Sequence, residues 1–247
     1  MRWLLPTLAL LGCPKRISPE LQVAQLLLDA DARWADRGEL GLDAAGEPLL
    51  VAYGLAPQDP GVLWRVARWR IAEGELADTP AASRDLAEAR AVAAACLEAA
   101  PGFVARREAN GWDAALEGLD PARAPCAAWA ALAWARWAEL QGTAAAALDL
   151  PAIDALIAAG AGEPVADWAA GLTLATRPAW AGQDLAAAAA RFDAAAAAEP
   201  DDTWILADAL RLAPNGSSRA RLQRATPQGP EEVHARTAAL AEGAPPN

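Results

Sequence analysis

The sequence is short of the residues that metal centres, nucleic-acid interfaces and sheets require. One histidine and three cysteines leave few soft ligands, so no metal site is expected. Lys15 is the only lysine, and arginine carries nearly all the positive charge. Acids outnumber bases by 32 to 21, for a net charge of −11. Such a chain cannot neutralise a row of phosphates, which argues against nucleic acid as a partner. β-Branched residues are scarce, and no run of Val and Ile could supply buried parallel strands, so all-β and α/β folds are set aside. No stretch reaches the ~18 uninterrupted apolar residues that span a bilayer. A nucleophile elbow, a glycine-rich phosphate loop and a convincing pair of catalytic carboxylates are all missing. No catalytic residue and no cofactor is therefore assigned.

What is present is alanine, the strongest helix former, in a chain of 247 residues that is 54% hydrophobic. The first residues have a separate pattern. Met1-Arg2 is a basic start, Trp3 to Leu11 is apolar around Pro6, and Leu10-Leu11-Gly12-Cys13 follows. That order matches a bacterial lipoprotein signal. Small Gly12 admits the peptidase, and the Cys13 thiol takes a diacylglycerol group. Residues 1–12 are then a signal peptide and 13–17 a lipidated tether, and the mature chain lies in the bacterial periplasm on the inner or outer membrane. An ordinary cleaved signal peptide is the alternative.

Helix signals fill residues 18–242, with 243–247 as a tail. Ser18-Pro19-Glu20 combines a hydroxyl cap, a proline at the first turn and an acid near the positive helix end. Leu21, Ala24, Leu28, Ala32 and Ala35 follow at helical spacing, and Gly38 closes the segment. Asp59-Pro60, Thr79-Pro80 and Asp120-Pro121 mark further starts, and Asp201-Asp202 reads as a helix cap. One spacing of four, three and five recurs. It joins Ala45, Leu49, Ala52 and Pro57; Ala89, Ala93, Cys96 and Pro101; Ala152, Leu156, Ala159 and Pro164; and Ala188, Phe192, Ala195 and Pro200. This resembles the second helix of a tetratricopeptide (TPR) repeat. Small residues there let helices approach, an apolar residue fills the seam and proline ends the helix. First helices are expected at Pro19–Arg37, Val62–Gly74, Ala124–Gln141 and Val165–Thr176. Asp78 to Ser83 and Gly102 to Pro125 read as insertions, the second with its own helix near Trp112. The expected fold is all-α, with TPR-like helical hairpins stacked as an α-solenoid.

Eleven tryptophans stand against one tyrosine and two phenylalanines. A TPR first helix needs about one large aromatic, so additional ones pack in the next layer, line a groove or meet a partner. Trp64, Trp69, Trp129, Trp134, Trp137, Trp168 and Trp180 are the candidates for a groove holding an apolar ligand or a partner surface. The competing expectation is that tryptophan fills a core short of Leu and Phe. Cys96 and Cys126 either form a disulfide, which an envelope location permits, or remain free buried thiols. His234, beside Glu231 and Glu232, points to a solvated C-terminal helix.

Ala124-Pro125-Cys126-Ala127-Ala128-Trp129, then Ala133-Trp134-Ala135-Arg136-Trp137, then Leu148-Asp149-Leu150-Pro151 resemble the T component of TRAP transporters (TatT-like proteins). So do Ala175-Thr176-Arg177-Pro178, the Gly182-Gln183-Asp184 loop, and Ala188, Arg191 and Phe192. Gln183 and Trp180 depart from the family pattern, which has glycine and an aliphatic residue there. The resemblance spans Pro57 to Leu212. It implies a lipid-anchored periplasmic TPR-like protein that associates with the substrate-binding P component, binds a hydrophobic small molecule and forms trimers. It also implies a helix starting at the Asp149-Leu150-Pro151 motif. The second expectation is a TPR adaptor lipoprotein for outer-membrane assembly, secretion or envelope maintenance.

Overall fold

The computed structural model describes residues 18–215 and 217–242. Cys13, the signal and tether segments and the 243–247 tail lie outside these residues. Among the described residues there are thirteen α-helices, two short 3-10 turns and no strand, so the protein is all-α. The helices are α1 (Pro19–Ala35), α2 (Arg37–Leu40), α3 (Leu42–Leu55), α4 (Pro60–Leu76), α5 (Thr79–Glu98), α6 (Phe103–Leu116) and α7 (Ala124–Gln141). They continue as α8 (Thr143–Ala159), α9 (Pro164–Thr176), α10 (Leu185–Ala198), α11 (Thr203–Leu212), α12 (Ser218–Arg224) and α13 (Pro230–Glu242).

The starts follow from capping chemistry. Ser18, Asp59 and Asp202 accept hydrogen bonds from backbone N–H groups of the first turn, satisfying donors that a helix start leaves without partners. Asp78 caps α5 one residue before the expected Thr79. The residues 78–83 therefore begin a long helix and are not an insertion. Asp120-Pro121 opens a 3-10 turn over Pro121–Arg123, and α6 fills most of the expected second insertion. Gly38 does not end α1, whose cap is Asp36, but sits inside α2. The Asp149-Leu150-Pro151 motif is not a helix start either, because α8 begins at Thr143 and carries Pro151 in its interior.

The recurring spacing marks the core. Eleven of its twelve non-proline positions are buried, and Ala159 is half-buried. Pairing is sequential: α1 packs on α3, α4 on α5, α7 on α8, α9 on α10, and α11 on α13. Each pair also touches the next, through α3 with α4, α5 with α7, α7 with α9 and α10 with α11. Glycine allows two of the closest approaches. A Cβ on Gly46 would sit 2.4 Å from the Trp69 ring, and one on Gly171 would sit 2.9 Å from Phe192.

One expectation about exposure is overturned, and one periodic stripe is uncovered. The stripe Leu21, Ala24, Leu28, Ala32 and Ala35 faces solvent, and α1 buries Val23 and Ala30 instead. Periodicity finds an apolar face but not whether a neighbour covers it. Glu231 and Glu232 are buried, at 0% and 2% exposure, because α13 folds back onto α4 and α11. His234 on the same helix is exposed.

Candidate functional site

The central polar feature is built on α7, which is buried along most of its length. Arg136 points from it toward α11 and forms a fork with Asp208, Nη1 donating to Oδ1 at 3.1 Å and Nη2 to Oδ2 at 2.6 Å. The indole N–H of Trp168 donates to the same Asp208 Oδ2 at 2.7 Å. Arg211 donates to Asp208 at 3.1 Å and to Glu139 at 2.6 Å. Trp204 meets Trp168 edge to face, with ring centroids 4.9 Å apart. Burial opposes charge on Arg136 and Arg211, yet Asp208 and the other nearby carboxylates hold both guanidinium pKa values above their ordinary range. The alternation of sign leaves both arginines permanently charged in a dry setting.

A cavity of about 340 Å³ opens beside this network, lined by Glu75, Ala82, Leu86, Arg136, Leu140 and Arg211 among others. That volume lies at the lower end for small-ligand sites. Burial raises the Glu75 carboxyl above its ordinary value against the pull of Arg136.

A second cavity, of about 260 Å³, lies where α1 and α2 meet the α10–α11 turn and α13. Trp34, Arg37, Glu199, Asp201, Asp202 and Glu232 contribute to its walls. Arg37 on α2 donates to Glu231 Oε1 at 2.6 Å and also to Glu232. Glu232 Oε2 accepts the Thr203 hydroxyl at 2.6 Å and the Gln228 N–H at 3.0 Å. Burial, then the charge of Glu232, pushes the Asp202 carboxyl up to about 7. Arg68, which lies over Trp34 at 4.1 Å from the ring centroid, is lowered to about 10 by burial. Beside Arg68, burial alone would raise Asp31. The hydrogen bonds and charge of Arg65, with Arg68, hold it below its ordinary value instead.

The tryptophans expected in one groove are dispersed. Trp69, Trp134 and Trp168 are buried at 5%, 7% and 1% exposure, so they are core residues and do not line an open groove. A buried Trp removes ~200 Å² from water, at most about 5 kcal/mol, against about 0.8 kcal/mol for one methyl group. An alanine-rich core gains most from such residues. Trp64 and Trp129 stack on each other at 6.5 Å, half-buried, with Arg65 over Trp64. Trp137 lies under Arg90, which also covers Trp134. Trp180 stands alone at 80% exposure. Trp34, which borders a cavity, carried no sequence signal beyond being aromatic. Cys96 and Cys126 are joined as a disulfide, with Cα atoms 5.9 Å apart, tying α5 to the start of α7.

Among the described residues no cluster of metal-ligating side chains is present, and no helix is long and apolar enough to cross a membrane. No protein-family model matches this chain, and no curated protein matches its sequence.

Proposed function

We propose that the protein is a binding scaffold, a TPR-like α-solenoid held at the periplasmic face of an envelope membrane by a lipid on Cys13. In this reading it serves as an accessory T component of a TRAP-type solute transporter and grips the substrate-binding P component. The observation that carries the scaffold reading is the sequential packing of helix pairs, each touching the next. Repeat architectures use that pattern to offer extended surfaces. The charged groups support binding over catalysis. Asp202 is spent on capping α11, Glu232 holds Arg37 and Thr203, and Asp208 is saturated by Arg136, Arg211 and Trp168.

The burial of Trp69, Trp134 and Trp168 favours a protein partner over a hydrophobic small molecule. This is also the observation behind the second reading, an adaptor lipoprotein for outer-membrane assembly, secretion or envelope maintenance. Affinity capture of the tagged, full-length protein from envelope extracts separates the two. Co-purification of a TRAP P component, or of a trimer of this chain with it, supports the first reading. Recovery of secretion or assembly subunits in its place supports the second. Palmitate labelling is expected to vanish in Cys13→Ala, and label retained by that variant removes the anchor from the proposal.

A further inference from the structure

The first hairpin carries an apolar stripe on α1, beside exposed Glu20, Gln22 and Gln25. Terminal repeats normally present a polar outer face, since no neighbour covers them. Here α1 exposes Leu21, Ala24, Leu28, Ala32 and Ala35, with Leu21 and Leu28 at 65% and 66%. On the paired helix α3, Leu50, Val51 and Leu55 are exposed as well. The two helices run antiparallel, because Arg33 late in α1 pairs with Glu47 early in α3 at 3.0 Å. The start of α1 therefore lies beside the end of α3, and the exposed leucines fall at the same end of the hairpin. Charged Asp43 and Glu47 belong to the other end. Glu20 is the exposed acid beside Leu21, and Asp29 beside Leu28 is paired with Arg33 at 3.0 Å.

We propose that this face of α1 and α3 lies on the lipid surface, so that the protein is laid against the membrane and not merely tethered to it. The inference rests on the lipid at Cys13. Cys13 precedes the cap residue Ser18 by five positions, a reach of at most about 18 Å for extended chain. A lipid at that point holds the first turn of α1 next to the headgroups. Within the tether, Lys15 and Arg16 are basic residues in an acidic protein, and each is attracted to anionic lipid. An apolar helix face held at that distance settles into the boundary between headgroups and acyl chains.

The test uses the lipidated full chain in vesicles of phosphatidylethanolamine and phosphatidylglycerol. An environment-sensitive label is placed at Ala24→Cys and, in a second chain, at exposed Asp120→Cys. Doxyl-labelled lipid is expected to quench the Ala24→Cys label several-fold more than the Asp120→Cys label. Adding Leu21→Gln and Leu28→Gln, both at exposed positions, is expected to abolish most of that difference while helical circular dichroism is unchanged. Equal quenching at the two sites, with acyl chains present in the intact mass, overturns the inference alone. A mass without acyl chains overturns the anchor and this inference together. Ala24→Cys chains that cross-link to one another and are not quenched assign the face to a second copy and overturn it as well.

Discussion

Arg136 and Arg37 are equally buried, at 6% exposure each, and their surroundings differ in three ways. Arg136 joins α7 to α11, whose pairs are separated by the α9–α10 pair and which both pack on α9. Arg37 joins α2 to α13 across 194 residues of sequence. Arg136 shares one aspartate with a second arginine and an indole, whereas Arg37 faces two adjacent glutamates. The orphaned atoms are of opposite sign. Arg136 keeps a buried Nε without an acceptor, and Glu231 keeps a buried Oε2 without a donor. At the centre Asp208 therefore serves three donor groups, with Glu139 beside it, while the closure between α2 and α13 sets two carboxylates on one guanidinium. The central cluster resists loss of its anion least, and the closure resists loss of its cation least.

The largest expected effect is at the centre. Asp208→Ala strands Arg136 and the Trp168 N–H and leaves Arg211 to Glu139, and breaking a buried pair costs ~3–5 kcal/mol. Guanidinium cannot give up its proton in any accessible range. The loss, read from urea unfolding, is expected to be the same at pH 5 and pH 8. A loss that shrinks markedly at either pH would remove the stranded guanidinium as its cause.

At the closure, Arg37→Ala is expected to cost ~3 kcal/mol, because it leaves Glu231 and Glu232 buried without their cation. A loss larger than that of Asp208→Ala in the same urea unfolding sinks the ordering of the two clusters.

The contrast also marks what could be read from the sequence. Helix class, the caps at Ser18, Asp59 and Asp202 and the buried spacing Ala45-Leu49-Ala52 were legible, because they depend on neighbours within one or two turns. The Arg136–Asp208 and Arg37–Glu231 pairs are 72 and 194 residues apart, and no local period encodes such a meeting. Glu231 and Glu232 read as solvated because two adjacent acids normally are. Only the return of α13 onto the first helices buries them. The tryptophans failed for a related reason. Spacing assigns a residue to a helix face, but whether that face opens on a groove or a glycine, as Trp69 does on Gly46, depends on another helix.

Asp202 sharpens the comparison from within the closure. Its carboxyl is raised from 3.8 to about 7 in the folded protein, so between those values the folded state binds more protons than the unfolded one. Stability from this group is full near pH 4, falls as pH rises and is lost above about pH 7. Asp202→Asn keeps a capping oxygen and cannot titrate. The wild type is expected to lose ~1–3 kcal/mol between pH 5 and pH 8 that the variant does not lose. Parallel pH profiles for the two would remove Asp202 from the closure's response to acid.

The smallest effects test whether each cluster acts as a unit. Trp168→Phe removes one donor from Asp208, and Thr203→Val removes the side-chain donor from Glu232 Oε2. Each is expected to cost ~1.5 kcal/mol, the lower end for a hydrogen bond to a charged group, because its other partners remain. Their couplings to the arginines are expected to differ. Once Arg136 goes, Asp208 keeps only Arg211 and the Trp168 N–H as donors, so Trp168→Phe in an Arg136→Met background is expected to cost more than alone. Glu232 still accepts the Gln228 N–H when Arg37 is removed, so Thr203→Val in Arg37→Ala is expected to be nearly additive. A double-mutant cycle measures both terms. Equal coupling at the two sites would mean that burial of the arginine, and not the way its carboxylates are shared, sets the energetics of each cluster.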